Sequence, residues 1–335
     1  MRAMLLDRIV DMATDRSPLR AVEIKKPEPR RGEVLLAVSV CGVCHTELDE
    51  IEGRTAPPRL PIVPGHEVVG RVASLGPGCG RHREGDRVGV GWIHSSDGSN
   101  DENISPDFVA TGRDVNGGYA EYMTVPEDYA YPIPASFPDA EAAPLLCAGG
   151  VGYRALSLTG IVNGEPLGLT GFGGSGHLVL QLSKHLYPES PVFVFARSPK
   201  ERTFALELGA DWSGDTGDEP PAPMQAVIDT TPAWKPVLAA LERLKPGGRL
   251  VINAIRKETG DRHLMASIRY RDHLWQEKEI KTVANVTGRD IATFLPIAAA
   301  VPLHVEVERY PLEDANKALH DLRSGHIRGA KVLEI

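Results

Sequence analysis

LGLTGFGGSGHLVLQLSKHL, Leu167 to Leu186, reads as a short apolar strand, a run of glycines and an amphipathic helix, in that order. Gly171, Gly173 and Gly176 stand in G-x-G-x-x-G spacing, with Gly174 between the second and third. The first glycine allows a tight turn, the second lets backbone approach a pyrophosphate, and the third permits close helix packing, while the helix N-terminus brings partial positive charge. The spacing alone would suit any turn. The strand before it and the helix after it point to a dinucleotide site.

Outward from this loop the alternation continues: PVFVFARS then KERTFALELGA, QAVIDTT then KPVLAALERLK, then GGRLVINA. Alternation on this scale implies a parallel sheet covered by helices on both faces. The ribose-reading position, about 20 residues past the last glycine, falls at Ala196. No carboxylate stands there. Arg197 and Ser198 follow, a guanidinium and a hydroxyl able to bind a 2′-phosphate, so NADP(H) is favoured over NAD(H). Upstream, residues 20–90 are short apolar runs punctuated by Pro and Gly, the pattern of a turn-rich, mostly antiparallel β domain. Beyond 285 a helix, a strand, a second helix and a last strand are expected, over 290–301, 304–311, 312–325 and 330–335.

The 335 residues suffice for about two domains. With 37 basic against 45 acidic residues and a net charge of −8, nucleic acid is excluded as a partner. No stretch has a signal-peptide core or the ~20 apolar residues of a membrane span, so a cytoplasmic protein is expected. Four cysteines, Cys41, Cys44, Cys79 and Cys147, are too sparse for a disulfide scaffold. A zinc ribbon would need a second close pair, whereas a redox pair at Cys41 and Cys44 stays open on spacing alone. Residues 95–107, SSDGSNDENISPD, read as a solvated loop, since their acids miss the order of a calcium-binding hand. Near Cys44-His45-Thr46 the chain also offers His66-Glu67 in PGHEVVG and Cys147 at the start of the parallel-sheet region. Two thiolates and one imidazole form the donor set of a catalytic zinc with an open fourth position, and their charge with Zn²⁺ sums to zero.

CGVCHTEL, LPIVPGHEVVGRV, GDRVGVGW, GGYAEYMTVP, APLLCAGGVGYRAL, GFGGSGHL and LWQEKEIKTVANVT together carry a resemblance over nearly the full length. The chain resembles the zinc-dependent medium-chain alcohol dehydrogenases, and within them the cinnamyl-alcohol-dehydrogenase-like bacterial branch. The resemblance implies an α/β fold: a GroES-like, mostly β catalytic domain over 1–148 and 286–335, and a Rossmann doubly wound coenzyme domain over 149–285. It implies that Cys44, His66 and Cys147 hold one catalytic zinc, that Glu67 can transiently reach the metal, and that Thr46 first receives the alcohol proton. Cys41 is then a half-buried small residue and no ligand. His45 and Arg328 match residues directed at the coenzyme phosphates, and Trp92 matches a wall of the substrate pocket, which suggests apolar or aromatic primary alcohols and aldehydes. A homodimer or homotetramer is expected.

Departures from the family pattern carry their own consequences. Relatives often hold a structural zinc on four cysteines in the lobe that here spans 94–112, where Asp97, Asn100 and Ser105 stand in place of cysteines. The lobe must be held by ordinary contacts or be mobile. Glu47 replaces the usual Asp that orients the histidine ligand, and Asp49 replaces a common relay histidine, which changes the proton route. The nearest rival is a zinc-independent enoyl or quinone reductase of the same superfamily; a non-catalytic nucleotide-binding protein is a further alternative.

Overall fold

The computed structural model describes residues 1–301, 303–325 and 329–335. The chain divides into two compact units, Met1–Gly150 with Asn285–Ala299 and Val305–Ile335, and Val151–Ala284 with Ala300–His304. The chain thus passes from one unit to the other inside a single helix, Ala148–Thr159. In the return segment Ala300–His304 belongs to the second unit, where His304 N–H donates to Gln181 and the Gln181 amide donates to the His304 carbonyl. None of the helices among the described residues is long and apolar enough to cross a membrane.

The first unit is organised around the strand Glu33–Val43, EVLLAVSVCGV, which is apolar on both faces and largely buried along its length. It pairs antiparallel with Val68–Leu75, Tyr122–Pro126 and Ala330–Glu334, so the last strand of the chain closes against one of the first. Val34, Val38, Val40 and Val43 are β-branched and stiff at χ1, and with Leu35 and Leu36 they suit the strand to burial on two sides. Its register places Cys41 opposite Val68. Gly42 N–H therefore donates to the Glu67 carbonyl at 2.9 Å, and the segment carrying His66 and Glu67 is pinned beside the strand's end.

The second unit is a six-stranded parallel sheet in the order Trp212–Gly214, Val192–Phe195, Leu167–Thr170, Met224–Asp229, Leu244–Ile252, Glu279–Thr282. This is the doubly wound order, whose switch point lies between the first strand in sequence and the fourth. Phe193, Phe195, Met224, Val227, Leu241 and Leu250 form the core under one helical layer. At the switch point Asp229 is fully buried and accepts from Thr170 Oγ1 at 2.6 Å, from Thr231, and from Lys257. The buried carboxylate is tolerated there because Thr170, Thr231 and Lys257 all donate to it.

The lobe at 94–112 is held by ordinary contacts. Ile93–Ser95 pairs with Val109–Ala110, and a short 3₁₀ turn forms over Glu102–Ile104. Glu102, only 4% exposed, is the centre. Its carboxylate accepts from Tyr129 O–H at 2.7 Å and from Gly288 N–H at 2.5 Å, while Arg289 donates to Asn100 at 3.1 Å. Of the two alternatives left by the sequence, the structure shows the first. Glu102→Ala leaves the buried Tyr129 hydroxyl and the half-buried Gly288 N–H without this acceptor and is expected to destabilise the first unit by about 2 kcal/mol, with faster proteolytic cutting between 95 and 107. Glu102→Gln should recover most of the stability, which a thermal or urea melt will show.

Candidate active site

Cys44 sits where the central strand gives way to the helix His45–Ile51, and it is that helix's N-cap. The cap is reciprocal. Glu47, three residues on, accepts from the Cys44 N–H at 2.8 Å through Oε2. Its other oxygen lies 2.5 Å from His66 Nδ1, so one fully buried carboxylate ties the helix start to the histidine. With Nδ1 engaged, His66 presents Nε2, which is buried and has no hydrogen-bond partner among the described residues. That orphaned nitrogen faces the thiols.

The Sγ atoms of Cys44 and Cys147 are 3.9 Å apart, and the donor atoms of Cys44, His66, Glu67 and Cys147 lie within 4.8 Å of one another. Two thiolates on a tetrahedral zinc at ~2.3 Å are about 3.8 Å apart, so the spacing suits that metal. Charges inside the cluster support the same reading. The hydrogen bond with Cys147 holds the Cys44 thiol well below its ordinary range, helped by His66, and that bond followed by burial pushes Cys147 up. The pair shares a proton that a divalent cation would displace. Burial works against the His66 imidazolium, but Glu47 and Cys44 outweigh it and raise its pKa. Burial, then Cys44, raises the Glu67 carboxyl well above the usual range.

Two glycines that the sequence reading did not single out make room for this group. A Cβ on Gly42 would lie 1.9 Å from Glu67 Oε2, and one on Gly65, at φ +100°, would meet the Tyr119 ring at 2.4 Å. The signal was the CGVC motif itself, whose small residue allows the carboxylate to pack against backbone. Cys41, expected half-buried, is fully buried because this same crowding encloses it, and burial raises its thiol pKa.

Thr46 is 6% exposed, with Oγ1 3.7 Å from Cys44 Sγ. Trp92 meets the His66 ring edge-on at 4.9 Å and Phe108 at 6.3 Å, forming an aromatic wall. Asp49, read as a proton carrier, is 1% exposed and accepts from Arg54 Nε at 2.5 Å. His45 is exposed. In the second unit Gly171 adopts φ +83° and Gly173 has open space around it, while a Cβ on Gly176 would stand 2.7 Å from the Gly171 carbonyl. Gly174 belongs to the same turn before the helix Gly176–Leu186. Arg197 is exposed just past the strand Val192–Phe195, and Ser198 stands at the N-cap position of the helix Pro199–Glu207 with no capping hydrogen bond from its side chain. Arg328 lies outside the described residues.

Residues 30–135 match the family model described as the alcohol dehydrogenase GroES-like domain. The chain is 40% identical to a probable alcohol dehydrogenase, AdhA, of Mycobacterium tuberculosis, covering 96% of this chain and 94% of that protein. It belongs to the medium-chain zinc alcohol dehydrogenase family. Among solved structures it is similar to a cinnamyl alcohol dehydrogenase of Sorghum bicolor, with a TM-score of 0.82, 27% identity, and coverage of 99% and 97% of the two chains. A cobalt- and zinc-bound thermostable alcohol dehydrogenase from Pyrobaculum aerophilum matches with a TM-score of 0.84, 25% identity, and coverage of 100% and 99%. The expected fold class, a GroES-like domain with a parallel-sheet Rossmann domain, is the one found. The chain is an NAD(P)-dependent alcohol dehydrogenase whose substrate is a small-molecule alcohol or aldehyde.

Because Glu47 orients His66, Glu47→Ala is expected to weaken zinc binding about 10- to 100-fold, measured by competition with a chromogenic chelator. Glu47→Asp should retain more affinity than Ala.

Proposed function

We propose that this dehydrogenase carries one catalytic zinc, prefers NADP(H), and interconverts primary alcohols and aldehydes, running as an aldehyde reductase. The observation that carries the reading is the convergence of Cys44, His66 and Cys147, with an orphaned buried imidazole nitrogen between two thiols. These three would hold the ion, and Glu67 stands within reach of it. When bound, zinc supplies Lewis acidity toward the substrate oxygen and nicotinamide supplies or accepts hydride.

The chain's own groups supply the rest. Thr46 holds the proton of the reacting hydroxyl at Oγ1 and returns it during reduction, its position set by the helix that Glu47 caps. Trp92 and Phe108 cover an apolar or aromatic substrate body and exclude water from the reacting centre. Asp49, paired with Arg54, carries protons onward only if that pair opens; exposed His45 stands where the family resemblance puts a residue directed at the coenzyme phosphates. Gly171, Gly173, Gly174 and Gly176 shape the pyrophosphate turn. Arg197 and Ser198, with no carboxylate at Ala196, favour the 2′-phosphate. Two copies would pair through the strand Glu279–Thr282, a sheet edge exposed along all four residues, giving a homodimer or a tetramer of such pairs.

The test joins metal content per chain with NADPH- and NADH-linked reduction of benzaldehyde. One zinc per chain with NADPH-driven turnover is expected. Cys44→Ser should lose the metal and at least a hundredfold in kcat/KM. Arg197→Ala should raise the KM for NADPH about tenfold while changing that for NADH little, since one charge-assisted phosphate contact is removed. A metal-free protein that reduces enones would overturn the zinc reading in favour of the reductase alternative.

A further inference from the structure

Arg202 takes no part in the chemistry above, yet it gathers three consecutive carbonyls. Its Nη1 donates to the Ala196 carbonyl at 2.8 Å and to the Arg197 carbonyl at 3.0 Å, and its backbone N–H donates to the Ser198 carbonyl at 3.1 Å. Helix initiation accounts for the last of these, since Ser198 stands at the N-cap position and Arg202 four residues on. The first two lie outside the helix. They fall on the residues that follow the strand Val192–Phe195, where a dinucleotide fold reads the coenzyme ribose.

The rest of this turn is fixed from other directions. The Phe195 carbonyl accepts from the Gly171 N–H at 2.8 Å, which joins it to the glycine turn, and the Ala196 N–H donates to the Gly214 carbonyl at 2.9 Å. Pro199 restricts the backbone at the first helical position. Arg202 supplies the remaining tie. Carbonyl oxygens carry partial negative charge, so any that stood open here would repel a 2′-phosphate. Arg202 covers two of them with a cation. Residues 196–203 hold three cations, Arg197, Lys200 and Arg202, against one acid, Glu201, in a chain whose net charge is −8. Arg197 is exposed and able to meet a ligand, whereas Arg202 is half-buried with Nη1 committed to backbone.

We propose that Arg202 is a positioning residue for coenzyme choice, holding the turn at 196–198 in the shape that lets Arg197 and Ser198 receive a 2′-phosphate. The proposal rests on the NADP(H) preference given above and names the residue through which that preference is held. A guanidinium suits the task better than an ammonium, because its planar fork is pre-organised and loses less freedom per hydrogen bond. A turn tied in this way meets the phosphate already ordered; a loose one would have to be ordered on binding, which lowers affinity. NADH lacks the phosphate and depends on the turn less.

The measurement is kcat/KM for NADPH divided by that for NADH, with benzaldehyde and the zinc-loaded enzyme. Arg202→Ala is expected to lower this ratio at least about fivefold, through the KM for NADPH rather than kcat, because a charge-assisted phosphate contact loses its fixed geometry. Arg202→Lys, which keeps a charge and donors without the fork, should give a ratio between the two. If the Ala variant does not fold, the Lys variant decides alone, and a ratio at the wild-type value overturns the proposal. A residue that acts through the turn also fails to add to Arg197. In the Arg197→Ala background, Arg202→Ala should change the ratio by less than about twofold, where a direct phosphate contact would add in full. An unchanged ratio, an equal loss with both coenzymes, or full additivity overturns the positioning role. Should the wild type favour NADH, the NADP(H) preference fails, and calorimetric titration with adenosine 2′,5′-bisphosphate and 5′-AMP, which needs no turnover, still decides for or against Arg202. The wild type should bind the bisphosphate more tightly, and Arg202→Ala should narrow that difference at least about fivefold. Equal affinities in the wild type, or a difference untouched in the variant, overturn the proposal.

Discussion

One buried carboxylate holds the active site in register. Glu47 accepts from the Cys44 backbone with one oxygen and meets His66 Nδ1 with the other, so a helix start and a distant loop are joined through a single side chain. Removing it would unfasten both ends at once. The helix would lose its cap, and His66 would lose the contact that turns Nε2 toward the thiols. The longer Glu in place of the usual Asp reaches both partners because the helix begins directly after the central strand, with Cys44 as the corner between them.

The surrounding packing leaves this carboxylate no alternative. The strand Glu33–Val43 is paired on both sides, and its register fixes Gly42 against Glu67 and Cys41 against the crowded turn at Gly65. Glycine at these two points is a steric requirement of the site. The lobe at 94–112 uses the same device on a smaller scale: a buried Glu102 gathers donors from Tyr129 and Gly288 in a segment that carries no cysteine. Charge placed in the interior is satisfied by fixed donors in all these cases, Asp229 included, and Glu50, buried with neither oxygen bonded among the described residues, departs from the pattern.

Much of this was legible in residues. The alternation of apolar strands and helices that begins at 167–186 implied the parallel sheet, and the observed strand order agrees with that inference. The texture of 20–90 implied antiparallel strands because Pro and Gly recur at turn spacing. Cys44, His66 and Cys147 could be paired on paper only through family resemblance, since nothing in their separations of 22 and 81 residues brings them together. Glu50 was passed over for a physical reason: an acidic residue on a helix reads as solvated until its burial is known. Asp49 was read as a carrier because its position was visible and its Arg54 partner was not.

The sequence by itself determined the two architectures, the glycine turn between a strand and a helix, the lack of cysteine in the lobe at 94–112, and the kinds of donor side chain the chain offers, because these follow from local periodicity and composition. Tertiary structure alone decided which donors are free and which are committed. His66 Nε2 is open because Glu47 occupies Nδ1, Asp49 is engaged because Arg54 folds onto it, and neither Glu50 oxygen meets a donor among the described residues. Such commitments depend on distances of a few ångströms between segments far apart in the chain. Sequence spacing carries no information at that scale.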